Sequence, residues 1–417
     1  MAKFVIQGGN RLKGEINVSG SKNAVLKLIA ATILSNKECI LKNIPDIADI
    51  KTMLLILEGL GASVEQKNGA VKINSKNINK FHPKDSLVNL MRASVLTIGP
   101  LLARFGKAEI SQPGGCIIGV RSINTHLDAF RQLGVEIIDK NGCYSFKIKK
   151  KKGSKVILKE LSVTATENIL LYAAGISEKT EIRVAAAEPE IEDLCNFLNK
   201  MGAKVTGGGT HFIKIYGTKN FHPVSHNVIP DRIEAGTLAI AAAITNGNVT
   251  IKNVRPDHLD LFLRKLQDAN VNFQIGSDYL HFEKQNYFKP LYIDTRPYPG
   301  FSTDMQSPIA VLLTQAKGQS HIFETLFEGR FNYVKELVKM GADCKLKDNH
   351  NLFIKGPKKL KGKTIYCSDL RAGAALLLAT LMAKGESTIE NIELIERGYE
   401  NIDARLNQIG ANIKRVL

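Results

Sequence analysis

The chain has 417 residues, 44% hydrophobic and 23% charged, with 34 Gly and 13 Pro, which excludes wholesale disorder, a collagen-like repeat and a disulfide-stapled mini-scaffold. Its 57 Lys+Arg against 40 Asp+Glu give a net charge of +17. That surplus suits nucleic acid, a membrane surface, anionic small substrates or merely a lysine-heavy surface.

At ~150 residues per domain the length predicts two or three domains. The start, MAKFVIQGG, has an apolar stretch only from Phe4 to Ile6 and does not read as a secretory signal. A small-residue-rich apolar helix comes next (KNAVLKLIAATILS), then a short strand (CILKNI), a second helix ending at Leu60-Gly61-Ala62 and a strand (AVKIN). The same order returns along the chain. The apolar helices are RASVLTIGPLLA, TENILLYAAG, DRIEAGTLAIAAA, DMQSPIAVLLTQA and DLRAGAALLLATLMA, and short strands such as EIRVAA, VTIKNV and STIENI follow them. Helices with a polar side, such as IEDLCNFLNKMGA and NIDARLNQIGA, come second in each unit, and further short strands such as FIKIYG follow them. They end at Leu133-Gly134-Val135, Met201-Gly202-Ala203, Ala269-Asn270-Val271, Met340-Gly341-Ala342 and Ile409-Gly410-Ala411, about every 70 residues. Asn in the fourth copy is the next-best left-handed helix cap after Gly.

The chain therefore reads as six βαβαββ units, three per domain, with the apolar helices buried and sheets outside them. The midpoint falls near Val228 to Pro230. One domain is expected over 21–228 and the other over 1–20 plus 229–417. The longest apolar stretches, such as Ala372 to Ala383, are too short to span a bilayer, so no membrane insertion is expected. Cys39, Cys116, Cys143, Cys195, Cys344 and Cys367 contain no CxxC pair; this predicts no zinc site and reduced thiols in a cytoplasm.

The starts of the buried helices carry Lys22 and Asn23, Arg92, Thr166 and Glu167, Asp231 and Arg232, Asp304, and Asp369 and Arg371. The loops before the second helices carry Pro45 and Asp46, Cys116 and Arg121, Glu188, Asp257, Arg330 and Arg397. Asp at a helix start is explained as an N-cap. Lys22, Arg92 and Arg371 are not, because a cation there is disfavoured unless an anion is near. Helices pointing the same way, in two domains facing each other, would line a cleft suited to a multiply anionic, phosphorylated substrate. The plainer alternative is that each Arg ties down a neighbouring loop. In PGGCIIGVR (Pro113 to Arg121) a lone Cys116 lies among three glycines, where it has little to pack against and Arg121 would favour its thiolate. The bland alternative is an inert buried thiol.

SKNA at Ser21 to Ala24, PGGCIIGVR around Cys116, PDRIEAGT at Pro230 to Thr237, PGFSTDMQ at Pro299 to Gln306, DLRAGAAL at Asp369 to Leu376 and RGYENI at Arg397 to Ile402 together resemble the UDP-N-acetylglucosamine 1-carboxyvinyltransferase family of enolpyruvyl transferases. The resemblance spans the whole chain without a large insertion. It implies a two-domain inside-out α/β barrel (an α/β prism), shared with 5-enolpyruvylshikimate-3-phosphate synthase. The implied reaction moves the enolpyruvyl group of phosphoenolpyruvate to the 3'-hydroxyl of UDP-N-acetylglucosamine and releases phosphate. It runs by addition and elimination through a tetrahedral intermediate, with no metal or organic cofactor, and opens peptidoglycan synthesis, on which the cell wall, cell shape and cell division depend.

On matching positions, Lys22, Asn23, Arg92, Arg121 and Arg397 would bind phosphoenolpyruvate, with Lys22 and Arg397 also catalytic. Cys116 would be the general acid and the target of fosfomycin, and Asp304 the base. Arg92, Arg121, Ser122, Ile123, Asn124, Thr125, Ser162, Val163, Asp304 and Leu326 would meet UDP-N-acetylglucosamine, while Glu188, Asp231, Asp369 and Arg371 would complete the polar site. The chain departs from the family's usual residues at Ser122 (Pro), Asn124 (Asp), Glu160 (Lys), Thr164 (Gly) and Ala187 (Arg). All five lie on or beside the nucleotide side, so an enolpyruvyl transferase with a different nucleotide or nucleotide-sugar acceptor is the first alternative. The shikimate enzyme lacks a PGGC lid. A nucleic-acid binder is suggested by KIKKKKGSK and KGPKKLKGK, but aromatics are 6% with no Trp, so these runs read as solvated edges and no nucleic acid is expected. Nothing in the sequence speaks to oligomeric state.

Overall fold

In the computed structural model, residues 2–115, 119, 122–149 and 152–416 are described. The expectations placed on Cys116 and Arg121 lie outside them. The chain forms two compact units, one of residues 20–115 and 122–229 and the other of residues 2–19 and 230–416.

The six apolar segments are helical and buried. In the first unit they are α1 (Lys22–Ala31), α2 (Ile98–Phe105) and α3 (Val163–Ala174); in the second, α4 (Arg232–Ile244), α5 (Gln306–Leu313) and α6 (Leu370–Met382). Two of them start differently from the sequence reading. A 3-10 turn at Arg92–Thr97 precedes α2, and another at Thr303–Met305 precedes α5. In both helices a proline, Pro100 and Pro308, lies within the first three residues, where its missing N–H costs no intrahelical bond. Further, α3 begins earlier than expected, capped by Ser162, so Thr166 and Glu167 lie in its interior and not at its start.

Small residues let the helices approach closely. A Cβ on Gly175 would meet Ala103 at 2.8 Å and Leu34 at 3.5 Å, and one on Gly99 would meet the Asn168 carbonyl oxygen at 2.3 Å. The Gly175 contacts join the C-terminal ends of the three helices and the Gly99 contact joins earlier turns of α2 and α3, so α1, α2 and α3 run side by side in one direction. In the second unit a cavity between α4 and α6 is lined by Thr237, Leu238 and Ala241 and by Ala374, Leu377 and Leu378. Asp231 ahead of α4 acts on Arg371 at the start of α6, so these two helices start side by side and again run in one direction.

Each unit carries three sheets around its helices. The first unit orders them as Val224–Asn227, Glu38–Lys42, Ala70–Asn74, Ser63–Lys67; as Lys107–Ser111, Cys143–Ile148, Val135–Lys140; and as Lys204–Thr206, Phe212–Tyr216, Lys179–Arg183, Lys155–Ile157. Among the described residues five of the six sheets are mixed, with one parallel edge pair beside antiparallel pairs. In the second unit, Lys3–Gln7 pairs antiparallel with both Glu386–Glu390 and Ile413–Val416, and Lys13–Asn17 pairs parallel with Asn248–Lys252. Apolar residues alternate along the strands, as in Glu38–Lys42, where Cys39 and Leu41 are buried, so each sheet lays one face on the helices.

The polar-sided helices end as their triplets predict. Gly61, Gly134, Gly202, Gly341 and Gly410 all have positive φ, and Asn270 has φ 63° in the same position. Asn270 also donates its side-chain amide to the Tyr287 carbonyl at 3.1 Å. Replacing Asn270 by Val, which strongly disfavours this backbone, is expected to cost roughly 1–2 kcal/mol in urea unfolding. Asn270→Gly relaxes the backbone while losing one exposed bond, and should stay within about 1 kcal/mol of the parent.

Candidate functional site

The second unit places four of the expected residues, Asp231, Asp304, Asp369 and Arg371, at the starts of its buried helices. Asp231 caps α4, its Oδ1 accepting from Ile233 N at 2.8 Å and Glu234 N at 3.1 Å. Asp369 caps α6, its Oδ1 accepting from Arg371 N and Ala372 N at 3.0 Å each. The innocent explanation of these two aspartates therefore holds, and each satisfies two orphan N–H groups. Asp304 sits in the 3-10 turn before α5, where Ser302 Oγ accepts its backbone N–H at 3.3 Å. Its Oδ2 accepts from Arg371 Nη2 at 2.8 Å, and its Oδ1 accepts from Arg330 Nη2. Arg371 Nη1 also donates to the Tyr399 hydroxyl at 3.2 Å, and Tyr399 meets Thr237 Oγ1 at 2.9 Å.

Burial alone would drive Arg371 toward its neutral form. Asp304, Tyr399 and Asp231 more than offset this and hold its pKa above the ordinary value. The Arg330 and Arg371 side chains are 4% and 7% exposed against 26% for Asp304. Two buried cations thus pin a carboxylate that keeps an open face. The sequence showed Arg330 as a loop position without giving it this role, and Tyr399 lay unremarked inside RGYENI. A rotamer-scale contact of this kind leaves no periodic signal. Arg397 is half-buried, just past the short helix Glu393–Glu396. Leu326 is exposed, in the loop where Glu324 Oε1 accepts its backbone N–H at 2.9 Å.

In the first unit the helix starts hold Lys22 and Asn23 on α1, Arg92 ahead of α2, and Ser162 and Val163 on α3. Here the electrostatic inference needs correction. Lys22 Nζ lies 3.2 Å from Asp49 Oδ2, and Arg92 Nη2 donates to the Ser122 carbonyl at 2.6 Å. Asp304 does the same service for Arg371. Each cation thus has a partner within the chain, so helix electrostatics alone do not require a bound anion.

Ser122 and Asn124 are exposed, Ile123 is buried and Thr125 lies between, at the start of the helix Asn124–Gln132. Thr125 Oγ1 donates to Glu160 Oε1 at 2.6 Å, His126 Nε2 meets Thr164 Oγ1 at 3.0 Å, and His126 Nδ1 accepts from Asn168 Nδ2 at 2.9 Å. Two of the unusual residues, Glu160 and Thr164, therefore serve to hold this helix. Glu188 is buried at the N-cap of Pro189–Lys200, and Ala187 is buried before it. Among the described residues no three His, Cys, Asp or Glu side chains are grouped as a metal site, and no helix is long and apolar enough to cross a membrane.

The chain matches the family described as EPSP synthase (3-phosphoshikimate 1-carboxyvinyltransferase) over residues 6–406. It is 46% identical to UDP-N-acetylglucosamine 1-carboxyvinyltransferase 1 of Carboxydothermus hydrogenoformans, covering 100% of this chain and 99% of that one. It is 45% identical to UDP-N-acetylglucosamine 1-carboxyvinyltransferase of Geotalea uraniireducens, with 100% of both covered. Among solved structures, the enolpyruvyl transferase NikO from Streptomyces tendae superposes with a TM-score of 0.91 at 23% identity, over 100% of this chain and 99% of that one. EPSP synthase from Acinetobacter baumannii gives 0.74 at 19%, over 100% of each. These two likenesses speak to the fold.

Burial, and then the charge of Arg92, push His126 down to about 3. A histidine with a depressed pKa stabilises the fold above its ordinary value of 6.5 and withdraws that stability as pH falls toward about 3, because the unfolded chain takes up the proton first. His126→Gln should lose less stability than the parent between about pH 7 and pH 4.5, measured as urea midpoints. In the parent, the His126 ring resonances should not titrate across that range.

Proposed function

The chain belongs to the UDP-N-acetylglucosamine 1-carboxyvinyltransferases, within the EPSP synthase family, and on that premise we propose that it transfers the enolpyruvyl group of phosphoenolpyruvate to the 3'-hydroxyl of UDP-N-acetylglucosamine. The observation that carries this is Asp304, a carboxylate held by two buried guanidiniums while its own side chain stays 26% exposed. Such a group can take the proton of an attacking hydroxyl without reorganising. The fold that goes with this reading is the inside-out α/β barrel of six βαβαββ units, three per domain.

In the addition, the 3'-oxygen bonds to C2 of phosphoenolpyruvate, the methylene carbon gains a proton from Cys116, and Asp304 receives the hydroxyl proton. In the elimination, the C2–oxygen bond to phosphate breaks, the methyl carbon gives a proton back, and phosphate leaves. Lys22, Asn23, Arg92, Arg121 and Arg397 neutralise the phosphate and carboxylate of the donor, since several fixed cations lower the cost of the charge that builds on the leaving group. Ser122, Ile123, Asn124, Thr125, Ser162, Val163 and Leu326 meet the acceptor, and Glu188, Asp231, Asp369 and Arg371 hold the polar surroundings. We place this activity in the cytoplasm, at the first committed step of peptidoglycan synthesis.

One observation favours a second reading. The Glu160 carboxylate bonded to Thr125 puts negative charge beside the expected nucleotide contacts, which suits an acceptor other than this nucleotide sugar.

Purified protein with both substrates should release phosphate and form a product heavier than the acceptor by one enolpyruvyl group. No phosphate above background overturns the assignment, and release with only another nucleotide acceptor selects the second reading. Asp304→Asn should lower kcat by about 10²–10⁴ while the protein still unfolds cooperatively. Fosfomycin, in the presence of the sugar nucleotide, should add covalently to Cys116, and intact mass should show the adduct gone in Cys116→Ser.

A further inference from the structure

Two charged side chains lie inside the helical core of the first unit, away from any helix end. Lys27 on α1 and Glu167 on α3 are 2% and 1% exposed, and the Lys27 ammonium donates to Glu167 Oε1. Their neighbours along both helices are apolar or hydrogen-bonded: Leu26, Leu28 and Ile29 on one, Ala165, Ile169 and Leu170 on the other. Lys27 is five residues past Lys22, and Glu167 is five past Ser162. At a rise of 1.5 Å per residue Lys27 sits about 7.5 Å beyond Lys22, and Glu167 sits as far beyond the cap Ser162. The pair joins two points of nearly equal depth.

The next residue of α3 makes the matching tie to the third helix. Asn168 Oδ1 accepts from Gly99 N at 2.9 Å, and its Nδ2 donates to the Val95 carbonyl at 2.8 Å. Adjacent side chains of α3 therefore reach both of its neighbours. Arg104 of α2 also donates to the Ile33 carbonyl just past α1 at 2.8 Å, while the side chains flanking Lys27 and Glu167 are largely apolar, and apolar packing has little directional preference along a helix axis. A buried ion pair has one: a slide of part of a turn separates the charges and leaves each without compensation. Burial pushes Glu167 up to about 7, with Lys27 pulling it down and Glu188 and Glu190 adding to the rise, so the Lys27 contact offsets part of the cost of burying the charged carboxylate.

We propose that Lys27 and Glu167 are positioning residues, fixing the axial register of α1 against α3 and so holding Lys22 and Asn23 level with Ser162 and Val163. The assignment rests on the enolpyruvyl-transfer reading, in which those four residues meet the two substrates. A merely structural pair would matter for stability alone. A register lock matters also for where the substrate contacts stand, and misplacement by an ångström is felt in binding and rate.

The test uses the full chain with Lys27→Met, Glu167→Leu and the double variant, comparing urea midpoints with kcat and KM for each substrate. Each single variant strands one buried charge and should lower the midpoint. The double variant fills the space with apolar atoms and should recover most of that loss. Its KM for phosphoenolpyruvate should nevertheless stay raised roughly tenfold. A double variant with recovered midpoint and parental KM overturns the proposal. If the apolar double variant does not fold, Lys27→Gln with Glu167→Gln decides. That pair keeps a directional hydrogen bond without charge and should stay within about threefold of the parental KM; a larger rise overturns the proposal. Absence of phosphate release in the parent would instead sink the reaction reading, independently of the variants.

Discussion

Three parallel helices can share one core only if their backbones come within reach of one another, and in each unit that requirement governs the composition of everything nearby. Ala and Gly crowd the contact faces, Gly99 and Gly175 sit where a side chain would strike backbone or Ala103, and bulk is left to residues such as Leu28, Tyr172 and Leu376. Close approach also means that water cannot enter to satisfy a stray polar atom. Several polar side chains admitted to the core are accordingly tied to a specific partner: Asn168 to Gly99 and Val95, Ser307 Oγ to the Arg371 carbonyl at 2.9 Å, Thr237 to Tyr399. Such ties are costly to leave unmade.

The two units place these ties differently, and the difference bears on chemistry. In the second unit they lie at the first turns, among Asp304, Arg371, Tyr399 and Arg330, so the same bonds that order the helices also orient the carboxylate expected to act. In the first unit the helix starts carry Lys22, Asn23, Arg92 and Ser162, while the cross-links run deeper. Lys22 and Arg92 are tied there to Asp49 and to the Ser122 carbonyl.

Much of this was legible from residue order because it follows from period and shape. The buried helices show as apolar runs, and the terminating Gly triplets show as the only residues that accept positive φ cheaply, with Asn270 as the informative exception. Specific pairings were not legible. Lys22 with Asp49, Arg371 with Asp304, and Lys27 with Glu167 join residues far apart in the chain, and no local pattern announces which charge faces which. Hence the helix starts suggested cations awaiting a ligand where the fold supplies partners of its own. The same holds for the surplus of +17, of which only a handful of residues belong to the proposed site and the rest, such as Lys355 and Lys361, are exposed.

The N-terminal strand Lys3–Gln7 lies between Glu386–Glu390 and Ile413–Val416 in one sheet. During synthesis the first strand leaves the ribosome with neither neighbour in existence. At ~5–20 residues per second its sheet stays incomplete for roughly 20–80 s, while residues 20–229 emerge as a block with all of their own partners. The order of translation therefore favours a completed first unit carried on an unfinished second one. A ribosome stalled short of the last strand would leave Phe4 and Ile6, both fully buried in the finished protein, in search of cover. The cover of Phe4 and Ile6 thus depends on strands about 380 to 410 residues further along the chain.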